Sequence, residues 1–156
     1  MSLNEALKLR KQLDSNIPTV GVFIDAPLAV MKNAYTSGAI SYLQLHGNES
    51  EETIKTLQNM GSNVINVVHH ASNLKSIADY VMLDSSNGLG ITPDWHHLPA
   101  IHRPWILAGG LTNTNIAEAV ALTHPSIVDV SSGVETDGIK DLHKITEIIN
   151  TAHNLQ

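Results

Sequence analysis

Six short apolar runs, each followed by a polar or helix-forming stretch, govern what this chain can become. They occupy residues 19–23, 40–45, 64–68, 80–83, 105–108 and 127–130. A strand with one wet face alternates apolar and polar residues, whereas these runs are mostly apolar, as in a parallel sheet covered on both faces. Helix-like sequence fills the intervals, and helices are predicted over 4–13, 27–37, 51–60, 73–78, 112–122 and 141–152, with one helical turn at 94–98. Ala6, Leu9 and Leu13 fall on one face of the first helix. Ser50 stands as an N-cap before two glutamates. The repeated strand–helix order predicts a parallel α/β architecture, in one domain spanning 1–156. A closed barrel of such units needs eight strands, and an open doubly wound sheet fits six equally well on pattern alone.

Composition removes several function classes. A net charge of −6 with only 9 Lys and Arg argues against nucleic-acid binding, which needs clustered cations to meet phosphates. No apolar stretch is long enough to span a bilayer, and the N-terminus lacks the charged-then-apolar pattern of a secretory leader. Cysteine is absent, so disulfides, thiolate metal sites and a cysteine nucleophile are excluded from these residues. A cytoplasmic chain with no membrane or nucleic-acid partner is expected.

In parallel α/β folds, ligands meet the carboxyl ends of the strands. Those ends carry Asp25, Gln44-Leu45-His46-Gly47, Asp84, Gly109-Gly110 and Ser131-Ser132-Gly133. Gly109 and Gly110 let backbone approach a ligand, and Thr112 is placed to cap the next helix. Ser131, Ser132 and Gly133 offer hydroxyls and amides to the same space, so the two pieces together suit a phosphate. Either piece alone is equally well explained as a turn. Asp84 ends an apolar run, a partly desolvated setting suited to a general acid; a loop-capping role fits the spacing slightly better. His69-His70 and His96-His97 show no ligand spacing with a nearby carboxylate, so surface histidines explain them better than a metal site. His46 serves equally as a structural or a ligand-contacting residue.

A longer pattern joins these pieces. In order, the chain carries Thr19-Val20-Gly21-Val22-Phe23, Gln44-Leu45-His46-Gly47, Leu83-Asp84-Ser85, Asp94-Trp95 and Leu107-Ala108-Gly109-Gly110-Leu111. Val128-Asp129-Val130-Ser131-Ser132-Gly133-Val134-Glu135 follows, and Gly138-Ile139-Lys140-Asp141 closes the set. This series resembles phosphoribosylanthranilate isomerase, a (βα)8-barrel family of tryptophan biosynthesis, from about the first helix to the C-terminus. The resemblance implies an incomplete TIM (βα)8 barrel of about six parallel strands with alternating helices, without the family's first two strands and first helix. It also implies the family's reaction, an Amadori rearrangement of N-(5-phosphoribosyl)anthranilate to an enolised ketose, with no cofactor and no metal. Asp84 takes the role of the general acid. Gly109, Gly110, Asp129, Ser131, Ser132 and Gly133 take the phosphate, and Gln44 and His46 are possible substrate contacts.

The pattern also departs from the family. Its Lys-Ile-Cys-Gly motif with the cysteine base, and an arginine that meets the anthranilate carboxylate, are not found in this sequence. Its Gly-Gly-Thr-Gly loop reads Asn87-Gly88-Leu89-Gly90 here, and its Phe-Asp-Trp reads Pro93-Asp94-Trp95. Impaired isomerase activity on a phosphorylated sugar substrate is therefore expected. A second reading is a fully active enzyme completed by another polypeptide or by a different base, for which His46 is the obvious internal candidate. The alternative is a non-catalytic phosphate-ligand-binding or self-associating partial-barrel module. Runs 19–23 and 127–130 are expected to be unpaired apolar edges, which predicts a homo-oligomer or edge pairing with another chain.

Overall fold

The computed structural model describes residues 1–71, 74–84 and 92–155. Six strands stand in one sheet in the order of the chain: β1 (Val20–Phe23), β2 (Tyr42–Leu45), β3 (Asn63–Val68), β4 (Tyr80–Asp84), β5 (Trp105–Ala108) and β6 (Ile127–Val128). The registered pairs β1/β2, β2/β3 and β5/β6 are parallel. A doubly wound sheet reverses its strand order at a switch point. Here each strand adds next to its predecessor, so the two topologies that fitted the sequence are separated in favour of the barrel-type order.

The chain divides into two compact units, Met1–Val67 with Lys75–Val81, and Val68–Leu74 with Met82–Gln156. The first contains α1 (Leu3–Arg10), α2 (Leu28–Thr36) and α3 (Glu51–Gln58) with β1, β2 and most of β3. Its core gathers Met31, Leu43, Leu45, Ile54, Leu57, Val64 and Ala78. Each large aliphatic buried there contributes roughly 1.5–3 kcal/mol relative to exposure. Ser50 caps α3 as the sequence predicts, its hydroxyl accepting from the Thr53 amide at 3.2 Å. α1 instead begins one residue earlier than expected, because Ser2 and Glu5 form a reciprocal capping box. It ends at Arg10, leaving Leu13 outside the helix. The Asp79 carboxylate ties Val64 and Gln58 together, accepting at 2.8 and 3.2 Å.

The second unit contains most of β4, together with β5, α4 (Ile116–Thr123), β6, an antiparallel hairpin β7 (Glu135–Thr136) and β8 (Ile139–Lys140), and α5 (Leu142–Asn154). Ile116, Val134 and Ile148 form a core against which Val128, Val130 and Ile145 pack. α5 starts where Asp141 accepts from the amides of His143 and Lys144.

Three expectations are corrected. No helix covers the described residues 74–78, where the Ser76 hydroxyl accepts from the Ala78 amide and closes a turn instead. Helix α4 starts at Ile116, so Asn115 rather than Thr112 is its N-cap. The last strand stops at Val128, two residues short of the predicted 127–130. The predicted loop 87–90, Asn73 and Ser85 lie outside the described residues. Among the described residues, no helix is long and apolar enough to cross a membrane.

Candidate active site

Asp84 is the last residue of β4 and is only 8% exposed. Three apolar neighbours on the strand, Val81, Met82 and Leu83, are buried as well. The Asp84 carbonyl lies 2.9 Å from Nδ1 of His69, the residue just beyond β3. A carbonyl oxygen only accepts, so Nδ1 of His69 carries the hydrogen and donates it. The end of β4 is thereby anchored at the residue that bears the acid.

Beyond β5, Gly109 and Gly110 adopt φ of 93° and 64°. Side chains with a Cβ resist that region, so glycine is required for the turn. Asn115, which the sequence reading passed over, holds this loop in shape. Its Oδ1 accepts from the Thr112 amide at 2.8 Å, and its Nδ2 donates to the Gly110 carbonyl at 3.0 Å. The available signal was an amide side chain just ahead of an apolar helical run, a common capping pattern.

Beyond β6, Ser131 and Ser132 are exposed and Ser132–Val134 forms a 3₁₀ turn. Gly133 packs directly on the Leu111 carbonyl, where any Cβ would overlap backbone. The glycine loop after β5 and the serine loop after β6 are thus brought into contact. Asp129 is exposed, and its amide donates to the Leu107 carbonyl at 2.9 Å. Lys140 reaches back from β8, with Nζ 3.0 Å from the Ser131 carbonyl, 3.1 Å from the Ser131 hydroxyl and 2.6 Å from Glu135 Oε1.

Gln44 and His46 belong to the first unit. Gln44 is buried in β2, and its Nε2 faces the His46 Nδ1 at a long 3.4 Å. The His46 amide donates to the Phe23 carbonyl at 2.8 Å. Gly47 presses so closely on Asp25 that a Cβ would collide with it. Asp25 has φ 48° and accepts from the Asn48 amide at 2.7 Å, while Glu49 accepts from the amides of Asp25 and Gly47. The glycine of the Gln-Leu-His-Gly string therefore serves a tight loop clasp, and Asp25 is occupied in closing it.

Within the second unit, the arrangement offers one buried carboxyl at a strand end and a pair of loops rich in amides and hydroxyls. These are the parts of a proton donor and an anion cradle.

The family model for N-(5'phosphoribosyl)anthranilate (PRA) isomerase matches residues 1–151. The N-(5'-phosphoribosyl)anthranilate isomerase of Lacticaseibacillus casei is 48% identical over 153 residues, covering 97% of this chain and 77% of that protein. The phosphoribosyl anthranilate isomerase of Thermus thermophilus superposes with a TM-score of 0.85 at 26% identity, over 99% of this chain and 82% of that one. A further isomerase structure, solved with reduced 1-(o-carboxyphenylamino)-1-deoxyribulose 5-phosphate, gives a TM-score of 0.83 at 26% identity over 99% and 80%. Sequence strings, strand order and superposition agree, and the chain belongs to the N-(5'-phosphoribosyl)anthranilate isomerase family.

Proposed function

We propose that this chain acts on N-(5-phosphoribosyl)anthranilate, opening its ribose ring and carrying the Amadori rearrangement of tryptophan biosynthesis. Asp84 protonates the ring oxygen as general acid. Gly109, Gly110, Ser131, Ser132 and Gly133, with Asp129 beside them, receive the phosphate. The single observation that carries the reading is the buried Asp84 at the end of β4, in the same unit as the two touching loops. A relative that holds a carboxyphenylamino-deoxyribulose phosphate supports the same ligand class.

Proton abstraction from the sugar's second carbon is the other half of the reaction. The sequence contains no cysteine to supply a thiolate. Phosphate-ligand binding does not depend on that base. The test is an isomerase assay with substrate generated in situ, followed by its fluorescence loss, with Asp84→Asn alongside. Turnover that Asp84→Asn leaves untouched removes Asp84 from the mechanism.

A second reading concerns assembly, and exposed apolar residues favour it. Val20, Val22 and Ile24 are 45%, 58% and 67% exposed along β1 and just beyond it. A groove of about 510 Å³ between α1 and β1 is lined by Leu3, Leu9, Leu13, Val20 and Val22. β1 lies at the edge of the sheet, and an apolar edge of this kind is a template for another chain. Pairing with a second copy covers it.

A further inference from the structure

Hairpin β7/β8 is built to deliver one ammonium group to one serine. Its turn residues Asp137 and Gly138 have φ of 53° and 76°, the conformation that two-residue hairpins favour. The register sets Glu135 directly opposite Lys140 and Thr136 opposite Ile139. The base of the hairpin is tied down twice. Thr136 donates to the Asp141 carboxylate at 2.8 Å, and Lys144 Nζ donates to the Glu135 carbonyl at 2.6 Å. Lys140 Nζ meets the Ser131 carbonyl, the Ser131 hydroxyl and Glu135 Oε1.

An ammonium group has three hydrogens to donate and no lone pair to accept with. Its contact with Ser131 Oγ therefore fixes the polarity of that hydroxyl. The oxygen accepts from Lys140, and its own hydrogen must point elsewhere. Ser131 also stands at the N-cap of the 3₁₀ turn without a side-chain cap bond, unlike Ser2 and Ser50 at their helices. We infer that Lys140 is a positioning residue for the phosphate cradle, holding the exposed Ser131 hydroxyl as an outward hydrogen-bond donor toward an oxyanion. The inference rests on the reading of Ser131 as a phosphate contact. Glu135 offsets most of the lysine charge at longer range, so the action of Lys140 is local and passes through Ser131. A donor polarised by an adjacent cation is also a stronger one.

The test uses the full chain and inorganic phosphate, whose binding needs no turnover, with calorimetry as the readout. Ser131→Ala and Lys140→Met are each expected to weaken phosphate about ten- to a hundredfold, as for one hydrogen bond to an anion. Lys140→Arg keeps a cation with donors and is expected to recover most of the affinity. The double variant Lys140→Met/Ser131→Ala is expected to bind no more weakly than Ser131→Ala alone. Where turnover is measurable, the loss falls on KM more than on kcat. Circular dichroism on each variant establishes that the fold is retained, and Lys140→Gln replaces Lys140→Met if that variant is unfolded. Losses that add in the double variant, or phosphate affinity unchanged by Lys140→Met, overturn the inference while leaving the cradle intact. Affinity unchanged by Ser131→Ala overturns the cradle reading of that serine, and the role of Lys140 falls with it.

Discussion

His69 donates from Nδ1 to the backbone carbonyl of Asp84 at 2.9 Å, so the residue that ends β4 is held by a side chain that follows β3 in sequence. The bond grips the backbone and leaves the carboxyl's chemistry to its own surroundings. His69→Phe keeps the ring's bulk and removes the donor. It is expected to cost on the order of 1 kcal/mol in urea unfolding, the usual net worth of one such bond. Any isomerase turnover is expected to fall further than that, because a carboxyl on a loosened strand end loses alignment. Unchanged stability and unchanged turnover would remove the anchoring role.

The two loops beyond β5 and β6 touch at Gly133. Gly133→Ala forces a methyl group into the Leu111 carbonyl, which is backbone and has no rotamer to yield with. Overpacking of this kind typically costs about 1–3 kcal/mol. The substitution is expected to lower the thermal midpoint and to abolish phosphate protection against unfolding. Normal phosphate protection in a stably folded Gly133→Ala would show that the loops need not touch to bind.

Asn115 ties the glycine loop from the other side, through the Gly110 carbonyl and the Thr112 amide. Asn115→Ala leaves both groups without that partner. Phosphate affinity is expected to fall about tenfold while β5 and α4 persist, since the bonds lost are local. Asn115→Asp keeps the acceptor for Thr112 and loses the donor to Gly110. Its affinity is expected to be lower than that of Asn115→Ala if the added negative charge reaches the anion.

Much of this fold was legible because burial on both faces leaves an unambiguous mark. Trp105–Ala108 is apolar at every position, and the strand occupies the predicted bounds with all four residues buried. Ser50 before Glu51 and Glu52 announced α3, since a hydroxyl acceptor and two carboxylates suit a helix N-terminus. Where several polar residues competed, the reading slipped. Thr112, Asn113, Thr114 and Asn115 all precede α4, and the sequence alone does not say which one the first turn selects. The Asp137-Gly138 hairpin carried a recognised turn signal, but strands two residues long offer no periodicity to accompany it. Asp84 and the two loops could be named from strand ends. The Lys140 contact with Ser131 could not, because it depends on a hairpin register that only the folded backbone reveals.

The apolar edge at β1 gives an expectation about assembly. A charge placed in an exposed edge strand opposes pairing with another chain. Val22→Lys is expected to convert an oligomer to a monomer in light scattering at micromolar concentration, with little change in circular dichroism. A monodisperse monomer before any substitution would contradict the assembly reading outright.

The hairpin that carries Lys140 is also expected to respond to acid. Thr136 donates a hydrogen bond to the Asp141 carboxylate, and the amides of Lys144 and His143 donate two more, which together hold this carboxyl below its ordinary value of 3.8. The folded state therefore favours the charged form. Its stabilising contribution is fully present above the ordinary value and is lost as pH falls through the lower folded-state value. Protonation weakens the N-cap of α5 and the tie to β7 together, since a neutral carboxyl is a poorer acceptor at a helix N-terminus. Asp141→Asn has already surrendered that charge. Its urea midpoint is expected to lie below that of the wild type at pH 6, and the gap is expected to narrow by pH 3. Parallel pH profiles for the two proteins would mean that Asp141 has the same affinity for protons folded and unfolded, and that the cap is not what steadies the Lys140 hairpin.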